Sequence, residues 1–310
     1  MLAEQLRREY PCLLDAFSGA EALEDEALWP LSEALHNALL SVVPRERGSE
    51  RAYHLARIGE SFHGRRRLAE AGRFYAQVLE YEPPARPDAA QRDAMRRHAP
   101  VLLTTDAEFF PLVDVVALHH PALPLIAYHL FWEDDYNFPD DYEPCDHEEV
   151  WVAYEPGTGR ARDVRTFFHS HILSSAAAVE EANGFDGRPR IRSEWGLHGS
   201  LPTGWESLTL PDGTAVSDYL ERNYRDVRTG GRASAHPLKR RWPKRFEGEL
   251  SDYTAFPRQI LTEDLLLRKD ALWKCSFSNP TLQQYCIPYN FSVKFDWPFD
   301  MVAWGMAGTA

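Results

Sequence analysis

Apolar residues recur at helical spacing through the first hundred positions and then change to a two-residue period. From Gly19 to Val43, Leu23, Leu28, Leu31, Leu35 and Leu39 follow a 3.6-residue repeat, which predicts helix. Residues 51–83 carry a second pattern. Ile58 and Phe62 share a face, Gly59 allows a close helix approach, Ala71 is small at the crossing, and Tyr75 and Leu79 continue the stripe to Pro83, which ends it. A Pro/Ala-rich break at 83–91 precedes a short helix to about His98. From Val101 the runs 112–118, 123–132, 148–154, 163–171, 188–193 and 286–297 are short, aromatic or β-branched, and bounded by Pro, Gly, Asn and Asp. Residues 211–225 predict one late helix, and 226–260 read as a long polar excursion.

The spacing in 51–83 resembles a single tetratricopeptide repeat. One repeat cannot bury its own face, and no second copy is found. The expectation is therefore a TPR-like hairpin packed on the rest of the protein, with a docking groove for a protein partner or for self-association as the alternative. Together the patterns predict an α+β chain. Residues 1–100 form a helical N-terminal region and residues 101–310 a mostly antiparallel β-sandwich with long loop insertions.

The densest chemistry is Asp146-His147-Glu148-Glu149, which opens the strand VWVAY. On a strand alternate residues share a face, so Asp146 and Glu148 point one way and His147 and Glu149 the other. Two carboxylates on one face repel unless a positive charge lies between them, which a divalent cation supplies. His169 and His171 end the next strand, and His198 lies in the Gly-flanked turn Trp195–Ser200. Asp146, Glu148, His169 or His171, and His198 form the expected ligand set. Carboxylate plus imidazole suits Zn, Mn or Fe, and carboxylates alone suit Mg or Ca. Glu149 and Glu143 are candidate bases beside the metal, and His129, on the aromatic strand with Tyr128, is a candidate to face the same cavity. Cys145 reads as a buried inert thiol or as a nucleophile.

In order, these pieces are the Tyr128 strand, Asp146-x-Glu148 before V-W-V, a strand ending in His, an R-P-x-I strand and G-L-H-G-S. That order resembles the β-sandwich family of the necrosis-inducing NPP1-like proteins and the Vps62-related proteins, over residues 123–205. The resemblance implies a sandwich with a divalent cation held at one end by the acidic motif and nearby His. Asp146 and Glu148 match the family's two carboxylates and His147 stands where it has Trp. His169 or His171 matches its second-strand His and His198 its last one. The family's preceding His is absent here; Glu143 and Cys145 lie nearby.

Composition narrows the function. The net charge is −13, which disfavours nucleic acid as a partner. The basic run Lys239, Arg240, Arg241, Lys244, Arg245 reads as a solvated loop. No apolar run approaches the ~18 residues of a membrane span. The chain shows no export signal and no CxxC among its 4 cysteines, so a reduced cytoplasmic setting is expected. The preponderance of Arg over Lys suits a GC-rich bacterial source. P-loop, GxGxxG, GxSxG and HExxH motifs are absent. The expectation is a metal-dependent enzyme acting on a small or medium organic substrate, in bacterial specialised metabolism, by hydrolysis, dehydration/cyclisation or oxidation. A metal-dependent glycan or lipid-head-group binding module, toxin-like, is the first alternative. An interaction protein using the helical hairpin is the second.

Overall fold

The computed structural model describes residues 29–138, 145–233, 236, 239–285 and 296–298. Its helices are α1 (Trp29–Val42), α2 (Gly48–Gly64), α3 (Leu68–Tyr81), α4 (Ala89–Arg97), α5 (Ala176–Gly184), α6 (Val216–Thr229), α7 (Leu250–Tyr253), α8 (Thr262–Lys269) and α9 (Ser278–Tyr285). Its strands are β1 (Val101–Thr104), β2 (Leu112–His119), β3 (Leu125–Trp132), β4 (Asp146–Glu155), β5 (Arg160–Phe168), β6 (His171–Ser174), β7 (Arg190–Ser193), β8 (Ser200–Leu201), β9 (Arg258–Leu261) and β10 (Leu272–Lys274). The chain is α+β. No described helix is long and apolar enough to cross a membrane.

The chain divides into two compact units, Met1–Ala85 with Cys275–Ala310, and Arg86–Lys274. This differs from the division at residue 100 expected from the sequence, for a local reason. Asp88 and Gln91 form a reciprocal capping box that starts α4, and the Tyr128 hydroxyl on β3 donates to the Met95 carbonyl at 2.8 Å. The short helix is thereby fastened to the sheet that follows it.

In the first unit α2 packs on both α1 and α3. Ile58, Phe62, Ala71 and Tyr75 form one buried cluster, and Ala52, Leu55, Ala56 and Val78 another. Gly59 is needed at the crossing, since a Cβ there would lie 2.7 Å from Tyr75 Cε1. Asp296 accepts the Asn279 backbone N–H at 3.0 Å at the start of α9 and pairs with Arg57 at 3.2 Å.

In the second unit one sheet runs β10-β2-β3-β4-β5-β6, antiparallel except for the β10–β2 pair. A smaller sheet runs β8-β7-β1-β9, with β1 and β7 parallel. Its β8 lies against β5 and β4 of the larger sheet. Several expectations from the sequence are corrected. The run 163–171 is two strands, broken where His169 and Ser170 both take left-handed backbone at φ 44° and 70°. The excursion 226–260 contains the end of α6, the short α7 and most of β9, and residues 262–274 add α8 and β10. Most of the expected strand 286–297 lies outside the described residues.

Candidate metal centre

The β3–β4 ladder fixes what each side of the acidic motif meets. Trp132 pairs with Asp146 and Leu130 with Glu148, whereas Phe131 pairs with His147 and His129 with Glu149. The alternation expected from the sequence therefore holds, and its two halves do different things.

On one face His129, His147 and Glu149 converge. His129 Nδ1 lies 3.0 Å from His147 Nε2 and 2.8 Å from Glu149 Oε1, and all three residues are buried. Among the described residues this is the one group of three or more His, Cys, Asp or Glu whose ligand atoms all fall within 4.8 Å of one another. Phe131 stacks on His147 at 4.8 Å between centroids. Trp151, the next residue of β4 on this face, is also fully buried. The donor chemistry fits a cation. One ring nitrogen carries either one hydrogen or one lone pair, so His129 Nδ1 cannot donate to Glu149 and accept from His147 at once. A cation at the point of convergence would accept all three lone pairs together. Two imidazoles and one carboxylate form the donor set of catalytic zinc sites and of non-haem Fe(II) sites.

The other face holds an ion pair. His198, with left-handed backbone at φ 54°, places Nδ1 2.8 Å from Asp146 Oδ2 and Nε2 3.7 Å from Glu108 Oε1. Its ring stacks on Trp132 with centroids 4.2 Å apart and planes 6° from parallel. Burial favours the neutral ring, but the hydrogen bond to Asp146 and the negative charges of Asp146 and Glu108 outweigh it and push the His198 pKa up to about 10. Glu108 is also enclosed, yet His198 and the backbone N–H groups of Gly196 and Phe110 hold its carboxyl below the usual range. Asp146 and His198 thus meet, as the sequence suggested, in a hydrogen-bonded charge pair. Glu148 is buried on this same face.

A third group lies at the β5–β6 turn. His169 Nε2 is 2.5 Å from Glu194 Oε2. The other carboxylate oxygen of Glu194 accepts from Asn223 Nδ2 at 2.9 Å and from the Tyr253 hydroxyl at 2.6 Å. His171, two residues on, lies near Asp212 instead. The expected set Asp146, Glu148, His169, His171 and His198 is therefore not one ligand cluster. His169 joins Glu194, His198 joins Asp146, and His171 joins neither. His129, expected to share a cavity with that set, lies with Glu149 on the opposite face of the sheet. Glu143 lies outside the described residues, and Cys145 is buried. Within the basic run Lys239 pairs with Asp134, and Arg245 with Glu247 at 3.2 Å.

Sequence reasoning missed His147 as a candidate ligand, together with Glu108 and Glu194. The signal for His147 was the alternation itself, which already put it beside Glu149. Glu108 and Glu194 stand in loops whose positions depend on the smaller sheet, so no spacing marked them. Comparison with protein-family models, curated proteins and solved structures finds no match to this chain.

Proposed function

We propose that the chain is a metal-dependent enzyme for a small or medium organic substrate, with its divalent cation held by His129, His147 and Glu149. The observation that carries this reading is the convergence of three ligand atoms within 4.8 Å, from two neighbouring strands and in a buried place. We further read the two sheets as layers of a sandwich of the NPP1-like and Vps62-related kind, α2 and α3 as a TPR-like hairpin, and the setting as cytoplasmic. The proposed ligands come from the same β3–β4 ladder as the expected carboxylates Asp146 and Glu148, but from its other face.

When bound, such a cation polarises a carbonyl or activates water or dioxygen. The chain's own residues do the rest. Glu149 supplies the negative charge that the cation balances. His129 and His147 bind through neutral nitrogens, and the Phe131 ring against His147 fixes the plane of that imidazole. The aromatic side chains on this face exclude water, which strengthens every electrostatic interaction inside.

One observation favours a second reading. All three ligands are enclosed by protein, which also suits a purely structural cation in a binding or interaction protein. Metal analysis of full-length protein purified without chelators tests the first step. About one Zn, Mn or Fe per chain supports the site, and a metal-free protein that fails to take up any of these overturns it. Cobalt substitution separates the two readings, because a site with solvent or substrate positions changes its visible spectrum on adding azide. A closed structural site does not.

A further inference from the structure

We propose that His169 and Glu194 form a second chemical site, a proton-exchanging dyad that does not depend on the cation reading. Glu194 is fully buried, and each of its oxygens is committed. Oε1 accepts from Tyr253 and Asn223, and Oε2 faces His169 Nε2 at 2.5 Å. A carboxylate placed against one ring nitrogen selects the tautomer with hydrogen on that nitrogen. His169 therefore holds its hydrogen on Nε2 and presents the lone pair of Nδ1. Asn223 Nδ2, 3.1 Å from Nε2, flanks this contact while donating to Glu194.

Four further features position the ring. Left-handed backbone at both His169 and Ser170 closes the two-residue turn between Phe168 and His171, an arrangement that non-glycine residues seldom adopt. Tyr219 stacks on the imidazole with centroids 5.3 Å apart. Phe168 meets it edge-on at 4.6 Å. Gly199 leaves room for it, since a Cβ there would lie 2.8 Å from His169 Nε2 and 3.0 Å from Glu194 Oε2. Despite this scaffold the His169 side chain keeps 22% of its surface exposed, whereas Glu194 keeps none. An oriented, partly exposed imidazole backed by a buried carboxylate is the arrangement of a general base. The ligand class it fits is a small molecule with an O–H or S–H group, water included. The proton passes from that group to Nδ1, the ligand keeps the electron pair, and Glu194 stabilises the imidazolium through the Nε2 hydrogen. Glu194, Asn223 and Tyr253 are positioning residues.

Diethyl pyrocarbonate is the probe, because it acylates an unprotonated imidazole nitrogen and releases ethanol and carbon dioxide. His171, two residues away and also partly exposed, is the internal control. At neutral pH, peptide mapping of the full chain should show His169 modified about tenfold faster than His171, and Glu194→Gln should remove the advantage. Nitrogen-15 NMR of histidine-labelled protein should show His169 as the Nε2–H tautomer. Tyr253→Phe keeps the carboxylate and guards against loss of fold in the Gln variant; it should retain the tautomer and lower the rate in part. Equal modification rates at His169 and His171, or an Nδ1–H tautomer at His169, would overturn the proposal.

Discussion

His129 and Glu149 face each other across the β3–β4 ladder, with Nδ1 and Oε1 2.8 Å apart and both side chains fully buried. A buried carboxylate needs a positive charge nearby, and in this reading the cation supplies it. Glu149→Ala and His147→Ala should therefore lower metal content to background. Asp146→Ala and His171→Ala should leave it unchanged, which separates this ligand set from the one expected by spacing. Since the cation binds only the folded chain, chelation should lower the wild-type Tm, by an amount that grows with metal affinity. Elemental analysis and thermal melts with and without chelator provide both readouts.

The two units should fail at opposite ends of the pH scale. His36 lies in the first unit, its Nδ1 2.9 Å from His54 Nδ1. Burial, with Arg57 and His54 adding to it, lowers its pKa to about 3. Unfolded, it titrates near 6.5, so its neutral form supports the fold above that value, and stability is lost as pH falls from there toward about 3. His198 has the reverse sign. Its raised pKa means that its contribution is complete below 6.5 and disappears as pH rises through about 10. Each slope is at most about 1.4 kcal/mol per pH unit. Chemical denaturation across pH, compared with His36→Phe and His198→Gln, should flatten the acid limb in the first variant and the alkaline limb in the second. A wild-type alkaline limb that persists in His198→Gln would refute the assignment.

Gly59→Ala should destabilise the first unit although alanine is the better helix former. The added methyl would meet the Tyr75 ring at 2.7 Å, and overpacking of this kind costs about 1–3 kcal/mol against a propensity gain of about 1 kcal/mol. Phe62, buried against Ile58, Ala71 and Tyr75, should cost about 3–5 kcal/mol on truncation to Ala. Urea melts followed by the far-ultraviolet signal of the helices check both values. A stabilised Gly59→Ala would show that the two helices do not meet there.

Gly199→Ala should cost about 1–3 kcal/mol by crowding Phe168, His169 and Glu194 together. Its diagnostic effect is local: the His169 ring resonances should shift while those of His36 and His54 stay in place. A two-dimensional imidazole spectrum reads this directly.

Much of the fold was legible wherever one side chain period ruled a whole segment. The Ile58, Phe62, Tyr75 stripe marked the helices around Gly59, and the short aromatic and β-branched runs 123–132 and 148–154 marked β3 and β4. The turn at His169-Ser170 was not legible, because neither residue is glycine and only the pairing of Phe168 with His171 forces the left-handed backbone. For the site, alternation divided Asp146-His147-Glu148-Glu149 correctly. It could not say which half would meet a cation partner, since Trp132 and His198 on one side and His129 on the other come from elsewhere in the chain. His36 illustrates the same limit: a lone His in a helical stripe gave no sign of its contact with His54.

The register of β4 on β3 has an evolutionary consequence. Side chains alternate strictly, so sliding β4 by one residue would carry His147 and Glu149 to the Trp132 side and Asp146 and Glu148 to the His129 side. His198 would lose its carboxylate partner and His129 its neighbouring imidazole in a single event. Point substitutions in residues 146–149 can be repaired one at a time. A one-residue insertion or deletion inside the strand cannot, because it exchanges both sets of neighbours at once. Descendants of this chain should therefore vary in length between β3 and β4 and keep the spacing within β4 fixed.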